Sequence, residues 1–132
     1  VGANLVKFKE RRTPNMEFQI CTTVSIFNIF SLAKIAFWVK QYQPKFFYVN
    51  TLFDPDYFNI QTLPKNVKNI VNSRYNMLTD FKPTLRFMNA VDRDTTEIRK
   101  QRSDRILQTD AYRHENFGEY FPLLNKVLGI YE

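Results

Sequence analysis

The sequence predicts an α/β protein in which a parallel strand–helix–strand unit is followed by an all-helical carboxyl-terminal segment. The order helix, strand, helix, strand over the first half of the chain is typical of parallel α/β units. Both strand candidates are rich in rings and β-branched residues, and after residue 62 only helical patterns remain. At 132 residues the chain is expected to form one domain, 1–132, with an α/β part at 1–61 and a helical part at 62–132.

The first four elements follow from periodicity and from proline positions. A short helix is predicted over 4–12 and ends before Pro14, because the residue before proline disfavours the α region. A strand over 16–26 starts with alternating apolar residues and ends mostly apolar, which suits burial between two layers. A helix over 32–42 has an apolar stripe widened by Phe37 and Trp38, so it is expected to pack on two sides. The second strand occupies 45–52.

The remaining elements are helices introduced by capping residues and prolines. Ser31 is the expected N-cap of the helix over 32–42, and Thr62 that of a helix opening with Pro64. Pro83 opens another helix, Thr95 or Thr96 caps a longer one reaching about Tyr112, and Phe121-Pro122 leads a short terminal one. The residues of these later helices that should face the core include Val67, Ile70, Val71, Leu78, Leu85, Met88, Val91, Leu124, Val127 and Leu128.

Composition and charge indicate the cellular compartment of the protein and the kinds of partner it could bind. No apolar run approaches the length of a membrane span, the amino-terminal residues do not resemble a signal peptide, and the single cysteine cannot form an internal disulfide. These features predict a cytoplasmic protein that does not enter a membrane. The net charge of +6 is compatible with a nucleic-acid partner, but scattered basic residues interleaved with acids are more typical of an ordinary basic surface.

The residues that could carry chemistry are few. One cysteine, Cys21, and one histidine, His114, cannot supply the ligands of a zinc site or an iron–sulfur cluster, so no metal site and no catalytic residue is predicted. Cys21 lies in the middle of a strand, where a buried structural thiol is expected, and His114 is expected at the surface or as a cap near a helix end. Asp54 and Asp56 follow the second strand and could bind a metal or act as acid and base, although Asp-Pro-Asp is also a good turn former.

The helix over 96–112 is the best candidate for contact with nucleic acid. It carries Arg99, Lys100, Arg102 and Arg105. Acidic residues are interleaved with these side chains at spacings that allow pairing within the helix, which favours a solvated face over a track for phosphates.

Three ordered passages resemble the carboxyl-terminal third of phage-encoded radical S-adenosylmethionine proteins with a twitch-like extension. The first is the strand-to-helix passage from Thr22 to Asn28. The second, Asn59-Ile60-Gln61-Thr62-Leu63-Pro64 with Lys65 and Lys68, is similar to an N-I-x-x-L-P-x-x-x-K passage. The third, which runs from Asp110-Ala111-Tyr112-Arg113 to Phe121-Pro122-Leu123-Leu124, is similar to a D-x-x-R-x-x-x-F-P-x-L ending. The passages cover about residues 16–128.

The resemblance implies a fragment of a partial (β/α)6 barrel whose cofactor lies at the carboxyl ends of the strands. Thr23, Ser25 and Asn28 would then lie on the cofactor side, by position alone. The family's chemistry needs a C-x-x-x-C-x-x-C loop holding a [4Fe-4S] iron–sulfur cluster that cleaves S-adenosylmethionine. The 132 residues contain no such loop, so both cofactors are implied only for a longer parent protein, and this chain alone is not expected to be catalytic.

The resemblance also implies partners, and two other functions stay open. A fragment of a barrel exposes strand edges, so we expect association with a second copy or with the missing amino-terminal half of the barrel, in a virus-infected bacterial host. The first alternative is a stand-alone basic module that binds nucleic acid. The second is a viral accessory or structural protein, for which the sequence offers no positive feature.

Overall fold

The computed structural model describes residues 2–132, and these form a two-stranded parallel sheet and seven α-helices. The α/β part consists of α1 (Gly2–Arg11), β1 (Gln19–Val24), α2 (Leu32–Tyr42) and β2 (Phe46–Thr51). The two strands are parallel and adjacent, and α2 is the crossover between them. The predicted strand–helix–strand unit is therefore confirmed, with the second helix at its predicted bounds and the second strand one residue shorter at each end.

The rest of the chain is helical. Its elements are α3 (Lys65–Tyr75), α4 (Lys82–Ala90), α5 (Thr96–Arg113), α6 (Phe117–Tyr120) and α7 (Pro122–Leu128). The short helix α6 was not predicted, because its four residues are too few to show a periodicity. Within residues 2–132, every helix is too short or too polar to cross a lipid bilayer.

Strand β1 is shorter than predicted. It begins at Gln19 rather than at residue 16, and Met16 lies outside it with about half of its surface exposed. The alternation of apolar residues therefore extends beyond the strand itself: pairing with β2 starts at Gln19, and among residues 16–18 the one backbone hydrogen bond toward β2 is that of the Phe18 carbonyl, which accepts from the amide of Lys45 at 2.8 Å. The sheet is also covered on one face only, so the prediction of a strand buried between two layers is wrong.

The covered face of the sheet joins the main core. Ile20 and Val24 of β1 point to this face, as do Phe47 and Val49 of β2. They meet the apolar faces of α2, α3 and α4, and residues such as Phe81 and Met88 are fully buried there. The opposite face carries Gln19, Cys21, Thr23, Phe46, Tyr48 and Asn50, all of which are exposed. We call these six residues the open face.

The segment between β2 and α3 contains two 3-10 turns, Asp56–Phe58 and Ile60–Thr62. Asn59 caps the second turn, its side chain accepting a hydrogen bond from the amide of Gln61 at 2.9 Å. Thr62 was predicted to cap α3, but it belongs to this turn and donates its hydroxyl to the carbonyl of Asn59 at 2.6 Å. Pro64 occupies the N-cap of α3 and makes no side-chain cap.

Other capping and burial predictions had mixed outcomes. Thr95 caps α5 by accepting a hydrogen bond from the amide of Ile98, as predicted, whereas Ser31 precedes α2 without a side-chain cap bond. Phe37 is 66% exposed and so takes no part in a second packed side of α2, whereas Trp38 is half-buried. Ile70 and Val91 are also exposed instead of facing the core. Phe37 and Ile70 lie at the lateral margins of their helical stripes and Val91 follows the end of α4, and spacing alone does not assign such positions to the core.

Candidate functional site: an aromatic pocket at the carboxyl end of the sheet

The chain leaves β1 and β2 at the same edge of the sheet, because the strands are parallel. The two following segments lie side by side there. The amide of Leu52 donates to the carbonyl of Val24 at 2.8 Å, and that of Ile26 donates to the carbonyl of Phe58 at 3.2 Å. Ligands of open α/β sheets bind outside this end of the strands.

The turn after β1 is fixed by its own polar side chains. The Oδ1 atom of Asn28 accepts from the amide of Ser25 at 2.9 Å, and its Nδ2 donates to the carbonyl of Thr23 at 2.9 Å. The Ser25 hydroxyl accepts from the amide of Phe27 at 3.3 Å. Of the three predicted cofactor-side residues, Ser25 and Asn28 thus hold the turn that places Phe27, and Thr23 presents its side chain on the open face.

Phe27 forms part of the floor of a cavity of about 430 Å³ at this end of the sheet. Its ring lies 4.7 Å from that of Phe58, which follows β2, and 5.5 Å from that of Phe121, which precedes α7. Phe117 of α6 lies 5.2 Å from Phe121 and completes the floor. Segments distant in sequence therefore build one aromatic surface, and the pocket joins the α/β part to the helical part.

Asp110 places a buried carboxylate beside these rings. Its side chain is about nine-tenths buried, and Oδ2 accepts hydrogen bonds from the amide of Phe117 at 2.6 Å and from the hydroxyl of Tyr131 at 2.8 Å. The bond to Asp110 raises the pKa of the Tyr131 phenol. Within residues 2–132, Oδ1 has no hydrogen-bond donor. The arrangement suits a flat apolar group that carries an N–H or O–H donor.

The rim of the pocket is charged and loosely organised. Arg113 and Glu115 stand at the rim, and their closest charged atoms are 3.9 Å apart. His114 lies between them as the C-cap of α5 in the left-handed conformation, which confirms its predicted role as a surface or capping residue. Sequence reasoning missed this pocket, although Asp110, Arg113 and Phe121 all belong to one of the family-like passages.

Asp54 and Asp56 do not meet in a shared site. Asp56 pairs with Arg93 through a 2.8 Å contact, and both side chains are about half exposed. Asp54 is exposed and precedes Pro55 in a cis peptide bond. Among residues 2–132, no three side chains of the types that bind metals are grouped closely enough to hold an ion. Asp56 thus joins the turn after β2 to the loop before α5.

The basic residues of α5 differ sharply in their surroundings. Lys100 and Arg105 are exposed, but Arg99 is engaged by both carboxylate oxygens of Asp94, and this bond lowers the pKa of Asp94. Arg102 is only 2% exposed, which corrects its expected place on a solvated face. Its position four residues before the buried Ile106 puts it on the apolar stripe of α5, a spacing that could have revealed its burial.

Arg102 fastens α5 to the turns that follow β2. Its Nε donates to the carbonyl of Tyr57 at 3.1 Å, while Nη2 donates to the carbonyl and the hydroxyl of Thr62 at 2.8 and 3.0 Å. Burial lowers the pKa of the guanidinium, although Asp94 opposes that shift. Two of the four residues proposed for nucleic acid are therefore engaged within the protein.

Cys21 is exposed rather than buried, which corrects the expectation for the only thiol. It lies on the open face, where the side-chain amide of Asn50 contacts its sulfur at 3.1 Å.

No protein-family model, curated protein or solved structure matches this chain.

Proposed function

We propose that this chain is the carboxyl-terminal portion of a radical S-adenosylmethionine protein, contributing two late strands and a helical cap to a partial (β/α)6 barrel. The observation that carries the proposal is the open face of a parallel sheet. Parallel sheets occur almost only where both faces are covered, and two strands alone are marginally stable. Here one face is packed against helices and the other presents Phe46 and Tyr48 at 43% and 49% exposure.

A barrel accounts for this asymmetry. In such a fold the helices cover the outside of the strands, and inward side chains of the other strands fill the inside. The open face would become part of that inside, with Thr23 near the carboxyl ends of the strands. The outer edges of β1 and β2, which have no strand partner within residues 2–132, would pair with neighbouring strands.

The residues of this chain do not fit an iron–sulfur cluster. Such clusters are held by three or four thiolates, and the chain has one cysteine, in the middle of β1. The radical chemistry of a parent protein would depend on a C-x-x-x-C-x-x-C loop outside these 132 residues. We propose that this chain contributes two barrel strands, the helices packed on them, and the aromatic pocket at the carboxyl end of the sheet.

Cys21 offers a direct test, since its thiol reports whether the open face is covered. The proposal requires that the reading frame upstream of this chain encodes the three-cysteine loop. Alkylation with N-ethylmaleimide, followed by peptide mass spectrometry, should modify Cys21 readily in this chain alone and much more slowly in the longer polypeptide. The matched control is C21S/K100C, whose thiol lies on the exposed side of α5 and should react equally in both proteins.

Two results would overturn the proposal. One is an upstream reading frame without the cysteine loop. The other is equal reactivity of Cys21 in the short and long polypeptides. Protection of Cys21 in this chain alone, together with a dimer in sedimentation velocity, would instead show that a second copy covers the open face.

A further inference from the structure

The charged groups that line the aromatic pocket are more negative than positive. Asp110 and Glu115 supply two carboxylates, and Arg113 supplies one guanidinium. Arg113 and Glu115 both stand at the rim, with 3.9 Å between their closest charged atoms, so their charges largely offset each other. The carboxylate that remains is that of Asp110, which is the most buried of the three.

Asp110 has only neutral partners in the protein. Its donors are the amide of Phe117 and the hydroxyl of Tyr131, and both hydrogen bonds end on Oδ2. None of the ion pairs formed within residues 2–132 includes Asp110. A carboxylate buried to this extent is usually paired with a positive charge. Oδ1 accepts no hydrogen bond from the described part of the chain and is not closed off from solvent, so a cation that enters the pocket can pair with it.

The rings of the pocket favour a flat cation over a compact one. Five aromatic side chains line it, namely Phe27, Phe58, Phe117, Tyr120 and Phe121. The face of an aromatic ring attracts positive charge, and a planar, delocalised cation also stacks on it. An ammonium group is compact and strongly hydrated, so it loses more on leaving water than a guanidinium does. The cavity of about 430 Å³ is within the size range of small-molecule sites.

We propose that the aromatic pocket binds a flat organic cation, an amidinium or guanidinium group, which donates an N–H to Oδ1 of Asp110 and stacks on the phenylalanine rings. This inference goes beyond the proposed function and does not depend on it, because every residue that it uses lies within this chain. Binding is therefore expected of the chain alone. Absence of binding would leave the test on Cys21 unaffected, and a failure of that test would leave this one unaffected.

The probe is benzamidine, a benzene ring that carries an amidinium group, and benzamide is its neutral counterpart of nearly the same shape. The whole chain is titrated with each compound at constant ionic strength and followed by 1H–15N NMR. Benzamidine should give saturable shifts at the amides of Arg113 and Phe117. Benzamide should bind about tenfold more weakly, because its hydrogen bond to Asp110 has an uncharged donor.

The D110N variant removes the negative charge and keeps the size of the side chain. Its carbonyl oxygen can still accept from Phe117 and Tyr131, but its amide nitrogen is a donor and cannot accept from a cation. The affinity for benzamidine should therefore fall at least about tenfold. The matched control D104N loses the same charge at an exposed position of α5 outside the pocket, and should bind nearly as well as the parent chain.

Urea denaturation of D110N shows whether the variant is folded, and the comparison of the two probes on the parent chain does not depend on any variant. The proposal is wrong if benzamidine causes no saturable shift at the amides of the pocket. It is also wrong if benzamide binds as tightly as benzamidine, or if folded D110N binds benzamidine as tightly as D104N.

Discussion

Replacing Arg102 with methionine tests whether its hydrogen bonds stabilise the fold. Methionine keeps most of the apolar volume but removes the donors to the carbonyls of Tyr57 and Thr62. Thr62 is fully buried, so water cannot replace the lost donor there, whereas Tyr57 is partly exposed. A buried acceptor left alone costs about 1–3 kcal/mol and a partly exposed one less, so R102M should lower the free energy of unfolding by about 2–4 kcal/mol.

Urea denaturation followed by circular dichroism measures this loss. The control R105M removes an exposed guanidinium three residues further along α5 and should change the free energy of unfolding by no more than about 0.5 kcal/mol. Burial also carries a desolvation cost for Arg102, which methionine relieves. If R102M were as stable as R105M, the desolvation cost would cancel the hydrogen bonds, and the argument that Arg102 secures the turns after β2 would be refuted.

Removing the N-cap of α5 in T95A should cost about 1 kcal/mol, measured by urea denaturation, and an unchanged midpoint would show that the bond to Ile98 contributes nothing. Phe81 is fully buried, so F81A should destabilise the fold by about 3–5 kcal/mol in the same assay, and a loss under 1 kcal/mol would contradict its place in the core. The bond to Asp110 raises the pKa of Tyr131, so its stabilising effect is present below about pH 10 and disappears as the pH rises through the raised value. In D110N the pKa of Tyr131 should return toward its ordinary value. An absorbance titration measures it, with the signal of the other tyrosines subtracted by means of the Y131F variants. An unchanged pKa in D110N would exclude the bond as the cause of the shift.

The sequence predicted the strand–helix–strand unit well because local patterns determine it. The apolar stripe of α2 and the proline after it set the bounds of that helix, and the ring-rich run of β2 has no helical alternative. Thr95 and Thr96 were both recognisable as cap candidates because they precede a long polar helix, and the structure selects Thr95. These features depend on residues within one turn or one strand of each other.

The candidate sites could not be predicted in the same way. The aromatic floor joins Phe27, Phe58 and Phe121, which are far apart in sequence, and no periodicity links them. The spacing of Arg102 to Ile106 does indicate a buried position, but charged side chains are seldom fully buried, and its hydrogen-bond partners, about 40 residues away, could not be identified from the sequence. Thr62 is of a residue type that often caps helices, but its hydrogen bonds to Asn59 and Arg102 hold it in a 3-10 turn.

The open face and the unpaired outer edges of the two strands have a practical consequence for handling this protein. Each strand leaves a row of amides and carbonyls on its outer edge, and stacked rings of Phe46 and Tyr48, 6.1 Å apart, stand beside them. Such edges can template intermolecular β-pairing and fibrous aggregates. A single lysine in place of Tyr48 would put a charge into that surface, so improved solubility of the isolated chain at high concentration is the expected benefit of that change.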